Sequence, residues 1–314
     1  MNFGTHLSTT GVDPIPLTRT TEVYTAGGNV RGQAESIVQM APKTTRTGLA
    51  ARTGSPSAAR MHGARSAAGR GTLARPGIVL QPIIQLSSGR LWGYEALARV
   101  PGSPARLLGE GATALPPEIA NELEARMLRS ALSVLPDLPA RSTLCVNVSP
   151  AALVSAPVAE VLEERSLDGI VVELTEYRPV EPLYEDLAHA GERLRALGAR
   201  FALDDVGAGR AGLRHLRRLR PDLVKMEASV LRGFNGTASH ALVARSIASV
   251  TAEAGATLVV EGVEGRTELD AALELGAELG QGYVLGPPRS GPSAPPSAVT
   301  RYLRARRLRA VNPA

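Results

Sequence analysis

A chain of 314 residues, 44% of them hydrophobic, is long enough for one large domain or two small ones, and its one cysteine, Cys145, excludes an internal disulfide. It holds no apolar run of about 18 residues that could span a bilayer, and its N-terminus does not read as a signal peptide, so no membrane insertion and a cytoplasmic location are expected. The net charge of +5 is uneven: residues 1–75 carry nine Lys and Arg against three Asp and Glu, and the remainder is close to neutral. The globular part is therefore not expected to bind a nucleic acid polymer.

Residues 1–75 are rich in Thr, Ser, Ala, Gly and Arg without sustained apolar periodicity, which predicts a disordered tail. Met40 and Met61 leave open a start site downstream of Met1. From Pro76 the pattern changes. IVLQPIIQL (78–86) and RLWGYEALAR (90–99) read as strands joined through SSG in a hairpin. ELEARMLRSALSVL (122–135) has apolar residues at helical spacing. Strands TLCVNVS (143–149), GIVVELTE (169–176), RFALDDVG (200–207), DLVKME (222–227) and TLVVEGV (257–263) follow, with the helix LYEDLAHAGERLRALG (183–198) between the second and third of them. GQGYVLG (280–286) reads as a last strand before the basic helix SAVTRYLRARRLRA (297–310).

Repeated strand–helix units imply parallel strands, because a parallel return needs a crossover helix. About eight strands over about 240 residues matches the usual size of a closed β/α barrel. No strand is followed by a GxGxxG phosphate loop, which disfavours a doubly wound open sheet. The expected fold is α/β, a modified TIM-type barrel opened by a hairpin and occupying residues 76–314.

Polar side chains recur at the strand ends. Glu95 comes late in the second strand, Asn147, Glu173 with Glu176, Asp204 with Asp205, Lys225, and Glu261 with Glu264 end theirs, and Gln281 sits near the start of the last segment. A single strand-end Asp is commonly a helix cap. In a barrel, however, these ends form one rim, and so many converging carboxylates repel one another unless a cation intervenes. Carboxylate and amide oxygens suit Mg²⁺ or Mn²⁺ and not zinc. Two adjacent aspartates allow one carboxylate to bridge two ions, an arrangement suited to phosphate ester hydrolysis. Only two of the 35 basic residues are Lys, at 43 and 225, so the folded region's single ammonium falls among these carboxylates. Lys225 could neutralise charge developing in a transition state, and Glu261 could act as general base.

The same residues carry a family resemblance. LQPIIQLSSGRLWGYEALAR, with Glu-Ala-Leu at 95–97, then VNVSP, ELTE, FALDDVGAG, LVKME, VVEGVE and GQGYVLGPP, resemble in order and spacing the EAL-domain family of cyclic di-GMP phosphodiesterases. The match covers nearly all of 76–290. The resemblance implies a modified β/α barrel holding two divalent cations and cutting cyclic di-GMP to linear pGpG. By matching position it implies metal ligands at Glu95, Asn147, Glu173, Asp204 and Asp205. It places Lys225, Glu261 and Glu264 in the catalytic machinery, and Gln81, Leu97, Arg99 and Gln281 against the substrate. Glu176 matches an anchor of the loop after the paired aspartates.

That loop departs from the family pattern. Val206 to Gly212 reads VGAGRAG, which keeps the glycines but lacks the usual hydroxyls and aromatics, and Glu227 replaces the usual Asp two residues after the Lys. In the family the loop links metal binding to dimerisation, so the departures bear on homodimer coupling and on rate. Two functions follow: a divalent-metal-dependent phosphodiesterase, or a weakly active or inactive receptor that binds cyclic di-GMP and signals to a partner.

Overall fold

The computed structural model describes residues 77–99, 115–175, 180–207, 213–234 and 236–311. The expected tail, Glu176 and the loop residues 208–212 lie outside the described residues. The chain begins with the anticipated hairpin: β1 (Gly77–Gln85) pairs antiparallel with β2 (Arg90–Arg99), the turn closing at Gly89, whose φ of +67° favours glycine. Then come α1 (Pro117–Leu132), β3 (Thr143–Val148), α2 (Pro150–Leu153), α3 (Ala156–Glu163), β4 (Ile170–Leu174), α4 (Tyr184–Ala196), β5 (Arg200–Val206), α5 (Leu213–Leu219) and β6 (Leu223–Met226). The chain continues through α6 (Ala228–Gly233), α7 (Ala238–Glu253), β7 (Thr257–Val260), α8 (Arg266–Glu274), β8 (Leu279–Gly280) and α9 (Ser297–Val311).

The eight strands close into a barrel in sequence order, with β2 to β8 all parallel and β1 antiparallel to both of its neighbours. This is the α/β barrel that the sequence pattern predicts, with one reversed strand supplied by the hairpin. Outward-facing residues such as Val146, Val172, Phe201, Val224 and Leu258 are buried under the helices. Inward-facing residues Ile83, Cys145, Val171, Ala202, Leu223, Val259 and Leu279 form a separate apolar layer that fills the lower barrel. Both faces of each strand are thus dry, which is why the strand sequences read as near-continuous apolar runs.

The last strand is far shorter than expected. β8 pairs for only two residues, and the rest of 280–286 turns over the end of β7. Gly282 (φ +155°) explains this, since a Cβ there would lie 2.3 Å from the backbone of Val263. A backbone packed so closely against the next loop leaves the sheet ladder. β7 likewise ends at Val260, before Glu261.

Candidate active site

Period-two alternation places the next inward-facing residue of each strand two positions beyond the apolar layer. Those positions are Asn147 beyond Cys145, Glu173 beyond Val171, Asp204 beyond Ala202, Lys225 beyond Leu223, Glu261 beyond Val259 and Gln281 beyond Leu279. On the reversed β1 the step runs the other way, from Ile83 to Gln81, and Gln81 sits opposite Glu95 in the β1–β2 ladder.

Lys225 is the centre of this upper layer, with a side chain only 1% exposed. Its Nζ lies 2.8 Å from Glu261, 2.9 Å from Glu173, 2.9 Å from Asp204 and 3.5 Å from Glu95. One ammonium faces four carboxylates. Burial opposes its charge, but Asp204, Glu173, Glu261 and Glu95 together hold the Lys225 pKa well above the ordinary value.

The carboxylates are driven apart from one another. Burial would raise Glu95, yet the Lys225 charge and the amide hydrogen bonds from Asn147 and Gln281 outweigh it and lower its pKa. Burial, reinforced by Glu95 and Asp204 against the pull of Lys225, pushes Glu173 up to about 8. Burial and the adjacent Asp204 push Asp205 to about 6. Burial also raises Glu261 well above the carboxylate range despite Lys225. Left to itself, the cluster holds more acid than one cation can keep ionised.

The paired aspartates owe their joint presentation to a break in the sheet. Adjacent strand residues point to opposite faces, so a regular β5 would turn only one of them inward. The β5–β6 register shifts between Leu203 and Val206, and Asp205 adopts a φ of +53°. Asp is among the few residues that tolerate that region, and a bulge re-aims a side chain in this way. As a result, ligand oxygens of Asp204, Asp205 and Glu261 come within 4.8 Å of one another.

Two amides complete the cluster. Asn147 donates its Nδ2 to Glu95 Oε1 at 2.6 Å, and Gln281 donates its Nε2 to Glu95 Oε2 at 2.7 Å. Each then leaves its carbonyl oxygen, Asn147 Oδ1 and Gln281 Oε1, buried without a hydrogen-bond partner. A buried acceptor left unpaired is costly unless a positive group meets it. Unpartnered amide oxygens beside clustered carboxylates form an oxygen donor set that fits a hard divalent cation.

Not every anticipated residue joins the cluster. Leu97 and Arg99 lie on the same face of β2 as Glu95 but past Ala96, its last rung with β3. Both are partly exposed, and Arg99 Nη1 donates to the Ala98 carbonyl at 3.0 Å. Glu264 is exposed on the rim, with Arg232 Nη1 at 4.0 Å, and is not brought to Lys225. Glu227 turns its carboxylate to the Ser229 backbone N–H at 2.8 Å and caps α6. One contact had no signature in the sequence: Glu124 of α1 accepts hydrogen bonds from both the backbone N–H (2.8 Å) and the hydroxyl (2.7 Å) of Ser149. Helical periodicity marks Glu124 only as a half-buried polar residue, and its partner lies 25 residues away.

A profile of the EAL domain matches residues 75–288. Cyclic di-GMP phosphodiesterase NbdA of Pseudomonas aeruginosa is 30% identical over 247 residues, covering 74% of this chain and 31% of the relative. The uncharacterized protein y4lL of Sinorhizobium fredii is 30% identical over 220 residues, covering 66% of this chain and 26% of the relative. The chain thus spans about a third or less of the length of these curated relatives. Among solved structures, the manganese and cyclic di-GMP complex of Klebsiella pneumoniae BlrP1 at pH 6 superposes with a TM-score of 0.62 at 26% identity, covering 70% of this chain and 58% of that one. The Bacillus subtilis YkuI protein, solved with substrate c-di-GMP and calcium, superposes with a TM-score of 0.62 at 22% identity over 77% of this chain and 62% of its own, a likeness of fold. With a profile match over more than half of its length and a barrel mouth built from the same ordered motifs, the chain belongs to the EAL domain family.

Proposed function

We propose that this chain hydrolyses cyclic di-GMP to linear pGpG with two divalent cations, Mg²⁺ or Mn²⁺, and so lowers the second messenger. The observation that carries the reading is the buried cluster itself, in which one ammonium stands among four carboxylates and two amide oxygens are left unpartnered. Glu95, Asn147, Glu173, Asp204 and Asp205 would hold the ions. When bound, such ions supply Lewis acidity toward a phosphoryl oxygen and lower the pKa of water.

The chain's own groups do the rest. Glu261, 2.8 Å from Lys225 Nζ, accepts the proton of the attacking water. That role needs its carboxylate ionised, a state favoured by positive charge added to the cluster. Lys225 is fixed in place by its carboxylates and offsets negative charge developing on the phosphoryl group, a contribution made without reorganisation at the moment of reaction. Gln81, Leu97, Arg99 and Gln281 take the substrate, Arg99 facing a phosphate, and Glu264 acts from the rim. Glu176 is retained as a loop anchor, and cyclic di-GMP and a second copy of the chain are the proposed partners. Among the described residues no helix is long and apolar enough to cross a membrane.

The test is incubation of the purified chain with cyclic di-GMP and Mg²⁺ or Mn²⁺, following pGpG by chromatography. Metal-dependent pGpG formation that stops in excess EDTA is expected. Robust hydrolysis in EDTA would overturn the two-metal reading, and tight binding without pGpG would favour the receptor.

A further inference from the structure

Asn147 occupies an exposed place in the barrel's ladder. β3 pairs with β2 only as far as Ala96↔Val146, so Asn147 and Val148 keep partners on the β4 side alone, Glu173 and Leu174. Immediately beyond them, Ser149 is gripped from outside the barrel. Both carboxylate oxygens of Glu124, on α1, accept from it, one from the N–H at 2.8 Å and one from the hydroxyl at 2.7 Å. The same hydroxyl caps α2 by accepting from the Ala152 N–H at 3.4 Å, with Pro150 at the first helical position. Charge-assisted bonds are about twice as strong as neutral ones, and a two-pronged pair also fixes direction.

We infer that Glu124 is a positioning residue for the metal centre: by clamping Ser149 it holds the unpaired end of β3, so that Asn147 donates to Glu95 and turns its oxygen toward the cation site. The clamp replaces the β2 rungs that β3 lacks at its tip. Without it Ser149 loses two hydrogen bonds, and the tip is held on one edge only. Groups that orient metal ligands from behind typically change metal affinity or activity about 10–100-fold when removed. The inference rests on the proposed role of Asn147 as a ligand.

The experiment measures Mn²⁺ binding to the full chain by titration calorimetry, with folding checked by far-UV circular dichroism at the same temperature. Asn147→Ala tests the ligand role itself and is expected to weaken binding. Glu124→Ala is expected to weaken Mn²⁺ binding about tenfold, with Glu124→Gln, which keeps an acceptor for the Ser149 N–H, falling in between. Ser149→Ala, which removes the hydroxyl's bond to Glu124 and its cap of α2 but keeps the N–H bond to Glu124, should show a smaller loss and serves if Glu124→Ala fails to fold. Glu122→Ala, on the exposed face of the same helix and paired with Arg126, should bind as the unaltered chain does. A cap with a purely structural role would lower Tm yet leave the affinity of the folded protein unchanged. Unchanged affinity in folded Glu124→Ala, or in both Glu124→Gln and Ser149→Ala if it does not fold, overturns the inference when Asn147→Ala does weaken binding. Unchanged affinity in Asn147→Ala removes the ligand role on which the inference rests, and is thereby told apart from failure of the clamp.

Discussion

The barrel interior has two layers only one side chain apart along each strand, and they are opposites. The lower layer, Ile83, Cys145, Val171, Ala202, Leu223, Val259 and Leu279, is apolar and dry, with Trp92 packed against it and Arg200 stacked 4.8 Å from the Trp92 ring centre. The upper layer, Glu95, Asn147, Glu173, Asp204, Lys225, Glu261 and Gln281, is buried or partly buried as well, but built of charges and amides. The lower layer gains free energy from area removed from water. The upper one costs desolvation energy, which the attraction between Lys225 and its carboxylates offsets. Apolar burial and the candidate site thus occupy successive rungs of the same strands.

The largest expected effect comes from removing the upper layer's one cation. Lys225→Met should abolish pGpG formation and destabilise the metal-free protein by about 3 kcal/mol, as breaking one side of a buried ion pair does, read by urea denaturation in EDTA. The milder Lys225→Arg keeps the charge but replaces a compact ammonium with a longer planar fork. In so crowded a site a displacement of about 1 Å costs about 100-fold in turnover. A kcat within about threefold of the unaltered chain would remove Lys225 from the chemistry, since a direct role should exceed about 1 kcal/mol of barrier.

Next come the proposed oxygen ligands. Asp204→Asn, Asp205→Asn and Glu95→Gln should each abolish turnover while circular dichroism stays unchanged. Retained turnover in Asp205→Asn would show that the bulged aspartate is not needed for the reaction. In the lower layer the outcome should invert. Leu223→Ala, at a residue 2% exposed, is expected to cost about 2–4 kcal/mol of stability with kcat within about threefold well below the melting temperature. A parallel collapse of kcat in that variant would show that the two layers are mechanically one. The smallest effect is expected from deletion of residues 1–72, since no residue of either layer precedes Pro76. If the shortened chain stays folded and metal-loaded but loses most of its turnover, the division at Pro76 into tail and barrel is wrong.

The fold was legible because its signals are local. Alternating strand and helix patterns, the SSG hairpin and the absence of a glycine phosphate loop together predict a barrel, and the closed sheet follows that order. Strand ends were less legible. GQGYVLG has strand composition, yet Gly282 seats its backbone against Val263, an approach that no pattern within the segment encodes. In the site, polar identity at each strand end was readable, but position was not. Glu264 and Glu261 look equivalent in VVEGVE, and only the turn after β7 leaves one beside Lys225 and the other on the rim.

The sequence by itself determined which strands end in polar side chains. Side chains alternate with a period of two, and parallel strands in one barrel share a rim, so strand-end Glu95, Asn147, Glu173, Asp204, Lys225 and Glu261 had to converge. What only the tertiary structure decided is how they meet. The bulge that turns Asp205 (φ +53°) toward Asp204, the choice of Glu95 as the acceptor for both amides, and the grip of Glu124 on Ser149 all depend on groups distant in the chain. Short-range preferences fix the periodicity of a strand. Hydrogen-bond partners are settled only once packing has brought the competing donors and acceptors within about 3 Å of one another.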